Sequence, residues 1–142
     1  MKILVATDGS KNAMRAVKYA ADLLKNSTDK SKSLSLISVH DDAGLRHAKA
    51  FVGKEAVADY LRELSEKELK PAMKFLNEQG IKHNMVILTG NASQEIVAEG
   101  QKGKYDMIVL GSKGRSAIAD MLLGSVAQRV LTQAKQPVVL VK

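Results

Sequence analysis

Five short apolar runs, each reached through a stretch of helical periodicity, constrain this chain more than any other feature. The runs are KILVAT (residues 2–7), LSLISV (Leu34 to Val39), the segment from Ile81 to Leu88, DMIVL (Asp106 to Leu110) and PVVLV (Pro137 to Val141). They read as apolar throughout rather than alternating, which is the pattern of strands covered on both faces. Between the first two, Ala13, Ala16, Val17, Ala20, Ala21 and Leu24 recur at helical spacing and predict a helix over about 11–25, with Ser10 as its cap. The pattern returns from Lys54 to Gln79 through Val57, Leu61, Leu64, Leu69, Met73 and Leu76, and Gly80 closes it. Pro71 inside that stretch implies a kink or the start of a second helix. Residues 40–53 have weak periodicity and read as a loop or a short irregular helix. Gly90 to Ser93 turns into a short helix around Ile96 and Val97, and Val126, Ala127, Val130 and Leu131 mark the last one. The expected fold is α/β: a single domain over residues 1–142, doubly wound around a five-stranded parallel sheet of order 3-2-1-4-5, with helices on both faces.

Composition narrows the function. A chain of 142 residues suffices for one continuous core, and its 45% apolar and 26% charged content is that of a soluble globular domain. No apolar run reaches the roughly 18–20 residues that span a bilayer, and the opening MKILVATD reaches an acid too soon for a signal peptide. With no cysteine there is neither a disulfide framework nor thiolate chemistry. A cytoplasmic location without membrane insertion is the expectation. The net charge of +7 raises a nucleic-acid partner. The lysines are scattered, however, and three tyrosines and two phenylalanines make no stacking platform, so neither DNA nor RNA is expected. The cluster from Lys25 to Lys32 reads as a polar loop.

In a doubly wound sheet, ligands bind beyond the carboxyl ends of the strands where the winding reverses. Here that point falls between the first strand, ending in Thr7-Asp8-Gly9, and the fourth, followed by Gly111-Ser112-Lys113-Gly114-Arg115-Ser116. A carboxylate facing a glycine-bearing loop suits ribose hydroxyls on one side and phosphates on the other. Glycine lets backbone N–H groups approach an anion without a Cβ in the way, and at Gly114 a positive φ is expected as well. Gly124-Ser125 opens the last helix, whose N-terminus favours an anion, and Ser125 with Gln128 has the form of a capping box. Lys113 and Arg115 could add charge. Each feature also has a plainer reading: the glycines as turn formers, Ser125 as a cap alone, Thr7 as a turn residue, Asp8 as a helix-capping acid.

The string from Gly111 to Ser125, GSKGRSAIADMLLGS, fits G-x2-G-x9-G-[S/T]. It resembles the nucleotide-binding pattern of the ATP-binding branch of the universal stress protein family. The resemblance covers the whole chain, including ILVATDGS at the start, LISVH from Leu36 to His40, LGSVAQRVL from Leu123 and the closing PVVLV. It implies that Asp8 binds the ribose or adenosine portion, with Ala6 and Thr7 lining the pocket beside it. Val39 would meet adenine largely through its backbone, although a strand residue would be buried there in any case. Gly111, Gly114, Gly124 and Ser125 would hold the phosphates, with Lys113 and Val126 adjacent. Ala6 stands where many relatives have proline or valine. ATP, with Mg²⁺ carried on its phosphates, is the implied ligand.

Other chemistries lack their signatures. There is no G-x4-G-K-[S/T] loop, no G-x-G-x-x-G after the first strand, no metal spacing among His40, His47 and His83, and no Ser-His-Asp set. Three functions fit what is left. One is a regulatory module whose nucleotide-dependent loop is read by an unknown regulatory protein. Another is a slow ATP hydrolase or phosphotransfer enzyme, for which no base is evident. The third is an interaction protein. The predicted strand order also leaves Val138-Val139-Leu140-Val141 at a sheet edge, where pairing with a second copy would give a homodimer.

Overall fold

The structure is a computed structural model that describes residues 1–115, 120 and 122–142. Its elements, in chain order, are β1 (Lys2–Ala6), α1 (Lys11–Asn26), β2 (Ser33–His40), α2 (Arg46–Val52), α3 (Lys54–Glu78), β3 (His83–Thr89), α4 (Ala92–Lys102), β4 (Met107–Gly111), α5 (Ser125–Gln133) and β5 (Val138–Val141). The five strands form one sheet of order β3-β2-β1-β4-β5, parallel at every pairing. This is the expected architecture.

Successive strand residues point to opposite faces, so each central strand feeds two cores. Ile3 and Val5 of β1 pack with α1 and α3 through Ala16, Val17, Leu69 and Leu76. Leu4 and Ala6 pack on the other face with α4 and α5 through Ile96, Val97, Ala127 and Val130. Ile3, Leu4 and Val5 are completely buried, and burial of such a side chain contributes about 1.5–3 kcal/mol. Not every buried strand position is apolar. Ser35 and Ser38 of β2 are buried, and Ser38 Oγ donates to Ser65 Oγ of α3 at 3.0 Å, which satisfies both hydroxyls.

Several boundaries depart from the sequence reading. Pro71 neither ends nor divides α3, which runs as one helix of 25 residues. Its ring sits on the exposed side, where the carbonyl left without a partner can meet water. Residues 40–53 contain a 3₁₀ turn, Ala43–Leu45, and then α2, neither of which buries a residue. That explains why periodicity was faint there. β3 begins at His83 rather than Ile81 and is half exposed, as an edge strand can be. Ser10 caps α1 by accepting from Ala13 N at 3.1 Å. Lys32 returns from the following turn to donate to the carbonyls of Leu24 and Ser27, at 2.6 and 2.9 Å, so this lysine serves the end of α1.

β1 and β4 are adjacent, yet β1 continues into a helix on one face and β4 into a helix on the other. The close approach of α1 to the end of β4 depends on Gly111. A Cβ there would lie 2.9 Å from the backbone carbon of Asn12 and 3.0 Å from its Cβ, so the start of α1 packs directly on the end of β4. Gly111→Ala should lower the unfolding free energy in urea by about 1–3 kcal/mol, as overpacking does. A loss under about 0.5 kcal/mol would mean that α1 retreats freely.

Candidate functional site

The loops that leave β1 and β4 diverge around a cavity of about 400 Å³. Ala6, Thr7 and Asp8 form one wall at the end of β1, and Val39 comes from β2. Gly111, Lys113, Gly114 and Arg115 form the wall beyond β4, and Gly124, Ser125 and Val126 close it at the start of α5. All eleven residues singled out in the sequence therefore border one space. Ser116 to Ala119 and Met121, within the same motif, lie outside the described residues.

Asp8 is built into the turn. Its Oδ1 accepts from Ser10 N at 2.9 Å and its Oδ2 from Arg115 N at 2.9 Å. Burial alone would raise its pKa, but these hydrogen bonds from Ser10 and the Arg115 backbone outweigh it, and the net shift is downward. Asp8 is not the cap of α1, because Ser10 holds that position. A carboxylate has about four acceptor positions, so two bonds leave room for a ligand's hydroxyls. Thr7 is buried, and its Oγ1 accepts from Gly9 N at 3.3 Å, so it orders the turn while lining the cavity.

The glycines act differently from the expectation. Positive φ is found at Gly9, Gly53, Gly80 and Gly90, not at Gly114. Gly114 is needed for proximity instead: a Cβ would stand 2.9 Å from Asp8 Oδ2. Gly124 is similarly confined, its Cβ position 3.3 Å from both Lys113 Cα and Ser112 O. The capping box also needs correction. Gly124, not Ser125, is the N-cap of α5, and no side chain caps this end. Gly124 N is drawn to Ser112 O at 2.7 Å, leaving the Gly124 carbonyl to receive the first helical bond from Gln128 N at 2.9 Å. Ser125 is therefore the first helical residue, and the first-turn N–H groups of Ser125 and Val126 have no acceptor within the helix. A helix end whose donors face a cavity is suited to an anion.

The sequence reading missed the opposite half of the wall. Ile37, Ile96, Leu110 and Ala127 give the cavity an apolar side. His40 and Glu68 stand at its edge, with His40 Nε2 2.8 Å from Glu68 Oε2. Glu68 falls on the helical stripe Leu61-Ser65-Leu69-Ala72-Leu76, and an acid in that register was the available signal. Among the described residues, no group of three His, Asp or Glu side chains could hold a metal ion. No helix there is long and apolar enough to cross a membrane.

The sequence model of the universal stress protein family matches residues 1–142. The chain belongs to this family. Among its relatives, the universal stress protein MJ0531 of Methanocaldococcus jannaschii is 33% identical over 141 residues, covering 99% of this chain and 81% of the relative. The solved structure of MJ0577, described as a hypothetical protein whose biochemical function was assigned from structure, superposes with a TM-score of 0.86 at 29% identity over 99% of this chain and 94% of that one. A universal stress protein solved in complex with cAMP is 26% identical, with a TM-score of 0.62 over 100% of this chain and 96% of that one.

The lowered pKa of Asp8 in this universal stress protein gives a signed prediction. Its ionised form contributes stability in full above the unfolded value, about 3.9, and loses it as pH falls through the lower folded value. The difference in Tm between the unmodified protein and Asp8→Asn should be constant between about pH 5 and 8 and should shrink below about pH 4. A difference that already shrinks near neutrality would contradict the lowered value.

Proposed function

We propose that this protein binds an adenine nucleotide, ATP with Mg²⁺ on its phosphates, between the β1 and β4 loops. In this proposal it works in the cytoplasm as a stress-response sensor or switch rather than as an enzyme. The observation that carries the proposal is a cavity bordered by three features: the Asp8 carboxylate, a set of apolar side chains, and a helix N-terminus without a side-chain cap. Asp8 would accept from ribose hydroxyls. Val39, Ile37, Ile96 and Leu110 supply the apolar surface that a flat base requires. The N–H groups of Ser125 and Val126 would meet the phosphates, with Lys113 and Arg115 adding charge. Gly111, Gly114 and Gly124 keep side-chain bulk out of the loop. The volume lies in the range of about 300–1,000 Å³ common for small-molecule sites. Mg²⁺ would arrive on the phosphates, whose oxygens are its usual ligands. The cAMP complex of a relative agrees with an adenine ligand.

Calorimetric titration tests this directly. ATP should bind, and Asp8→Ala should cost about 1.5–3 kcal/mol, or roughly ten- to a hundredfold in affinity. An unchanged affinity in a variant that still folds would limit Asp8 to ordering the turn.

The sensor would be a homodimer formed through β5. Among the described residues this strand pairs only with β4, and Val138 to Val141 all remain partly exposed at the sheet edge. Such an edge is a template for further pairing. Sedimentation should show a dimer at tens of micromolar, and Val139→Lys should shift it to monomer. A monomeric unmodified protein would refute this.

A further inference from the structure

Glu68 is the one charged residue on the buried stripe of α3, and only 7% of it is exposed. Removing a carboxylate from water is costly unless it is paired. Oε2 lies 2.8 Å from His40 Nε2, and Oε1 is paired by charge with Nη1 of Arg115 at 2.6 Å, without the geometry of a hydrogen bond. His40 ends β2, Glu68 belongs to α3 and Arg115 to the loop after β4, so three separate elements meet at one carboxylate. Gly9 makes the space for this meeting. Its φ is +79°, and a Cβ there would stand 2.9 Å from Arg115 Nη2 and 3.3 Å from Glu68 Cβ. Nη2 also donates to the Asp8 carbonyl, and Arg115 N to the Asp8 carboxylate.

The two members of the ion pair differ in how easily they part. The Glu68 side chain is 5% exposed and fixed in a packed helix, whereas that of Arg115 is 57% exposed on a loop. Arginine can leave toward another anion while glutamate stays. Phosphate is the stronger competitor, because it carries more charge and can engage the guanidinium through two oxygens at once. As long as Glu68 holds Arg115, the pair offers a passing anion nearly no net charge.

We propose that Glu68 is a specificity-determining residue of this pocket, which competes with ligand phosphates for Arg115. A phosphorylated nucleotide gains the arginine only by displacing it from Glu68, and a nucleoside leaves the pair closed. This rests on the nucleotide assignment above. Displacement leaves Glu68 with His40 alone, so phosphate occupancy is felt at β2 and α3 as well as in the loop.

The test compares ATP and adenosine binding by calorimetry in the unmodified protein, Glu68→Gln, Arg115→Ala and the double variant. Glu68→Gln should tighten ATP about three- to tenfold more than it tightens adenosine. Arg115→Ala should weaken ATP more than adenosine, and in that background Glu68→Gln should no longer favour ATP. Glu68→Asp, a methylene shorter, should act in the same direction as Glu68→Gln and serves if the latter does not fold. ATP weakened by Glu68→Gln, equal shifts for both ligands, or a gain that persists without Arg115 would overturn the competition and leave the nucleotide assignment standing. No binding of either ligand by the unmodified protein would overturn both.

Discussion

The parallel pairing of β1 with β4 is the constraint on which the rest of the site depends. Ile3, Leu4 and Val5 register against Met107, Ile108 and Val109. β4 runs one residue further than β1, and their chains then leave toward opposite faces. A gap must open there, because no connection can cross it. Asp8 and the loop after Gly111 border that gap for topological reasons before any specific contact forms. The apolar requirement of two cores fixes the strands, the strands fix the gap, and the gap is where chemistry becomes possible.

Within the gap, absent side chains do as much as present ones. Gly111 lets α1 sit on the end of β4, Gly114 lets the loop reach the Asp8 carboxylate, and Gly9 admits the pair of Arg115 and Glu68. The bond from Gly124 N to Ser112 O ties the two ends of the motif together. That bond also decides how α5 begins, with glycine at the cap and the first helical residues, Ser125 and Val126, lining the cavity. The same loop meets β5, where Ser112 N donates to Val141 O at 2.8 Å. Loop, helix end and sheet edge are therefore one connected unit.

The sheet order was legible because it follows from patterns within single segments: buried runs, helical periods and the turns between them. The cavity-lining residues at the ends of β1 and β4 were legible because the motif is contiguous in two loops. What stayed hidden involves pairs distant in sequence. Nothing local to Gly114 announces that its neighbour is Asp8, so a positive φ was expected where proximity is the reason. Ser125-x-x-Gln128 has the letters of a capping box, but the competing bond from Gly124 to Ser112 moves the cap by one residue. Pro71 would break an isolated helix, and only its exposed position makes it tolerable. Glu68 was hidden among exposed charges in SEKELK, although its register on the buried stripe distinguishes it from them.

A crystal structure grown with ATP and Mg²⁺ would test the central claim most directly. The ribose should lie against the Asp8 carboxylate, the base among Val39, Ile37 and Ile96, and the phosphates over the N–H groups of Ser125 and Val126. A nucleotide bound elsewhere on the chain, or bound here with its phosphates turned away from α5, would contradict the account.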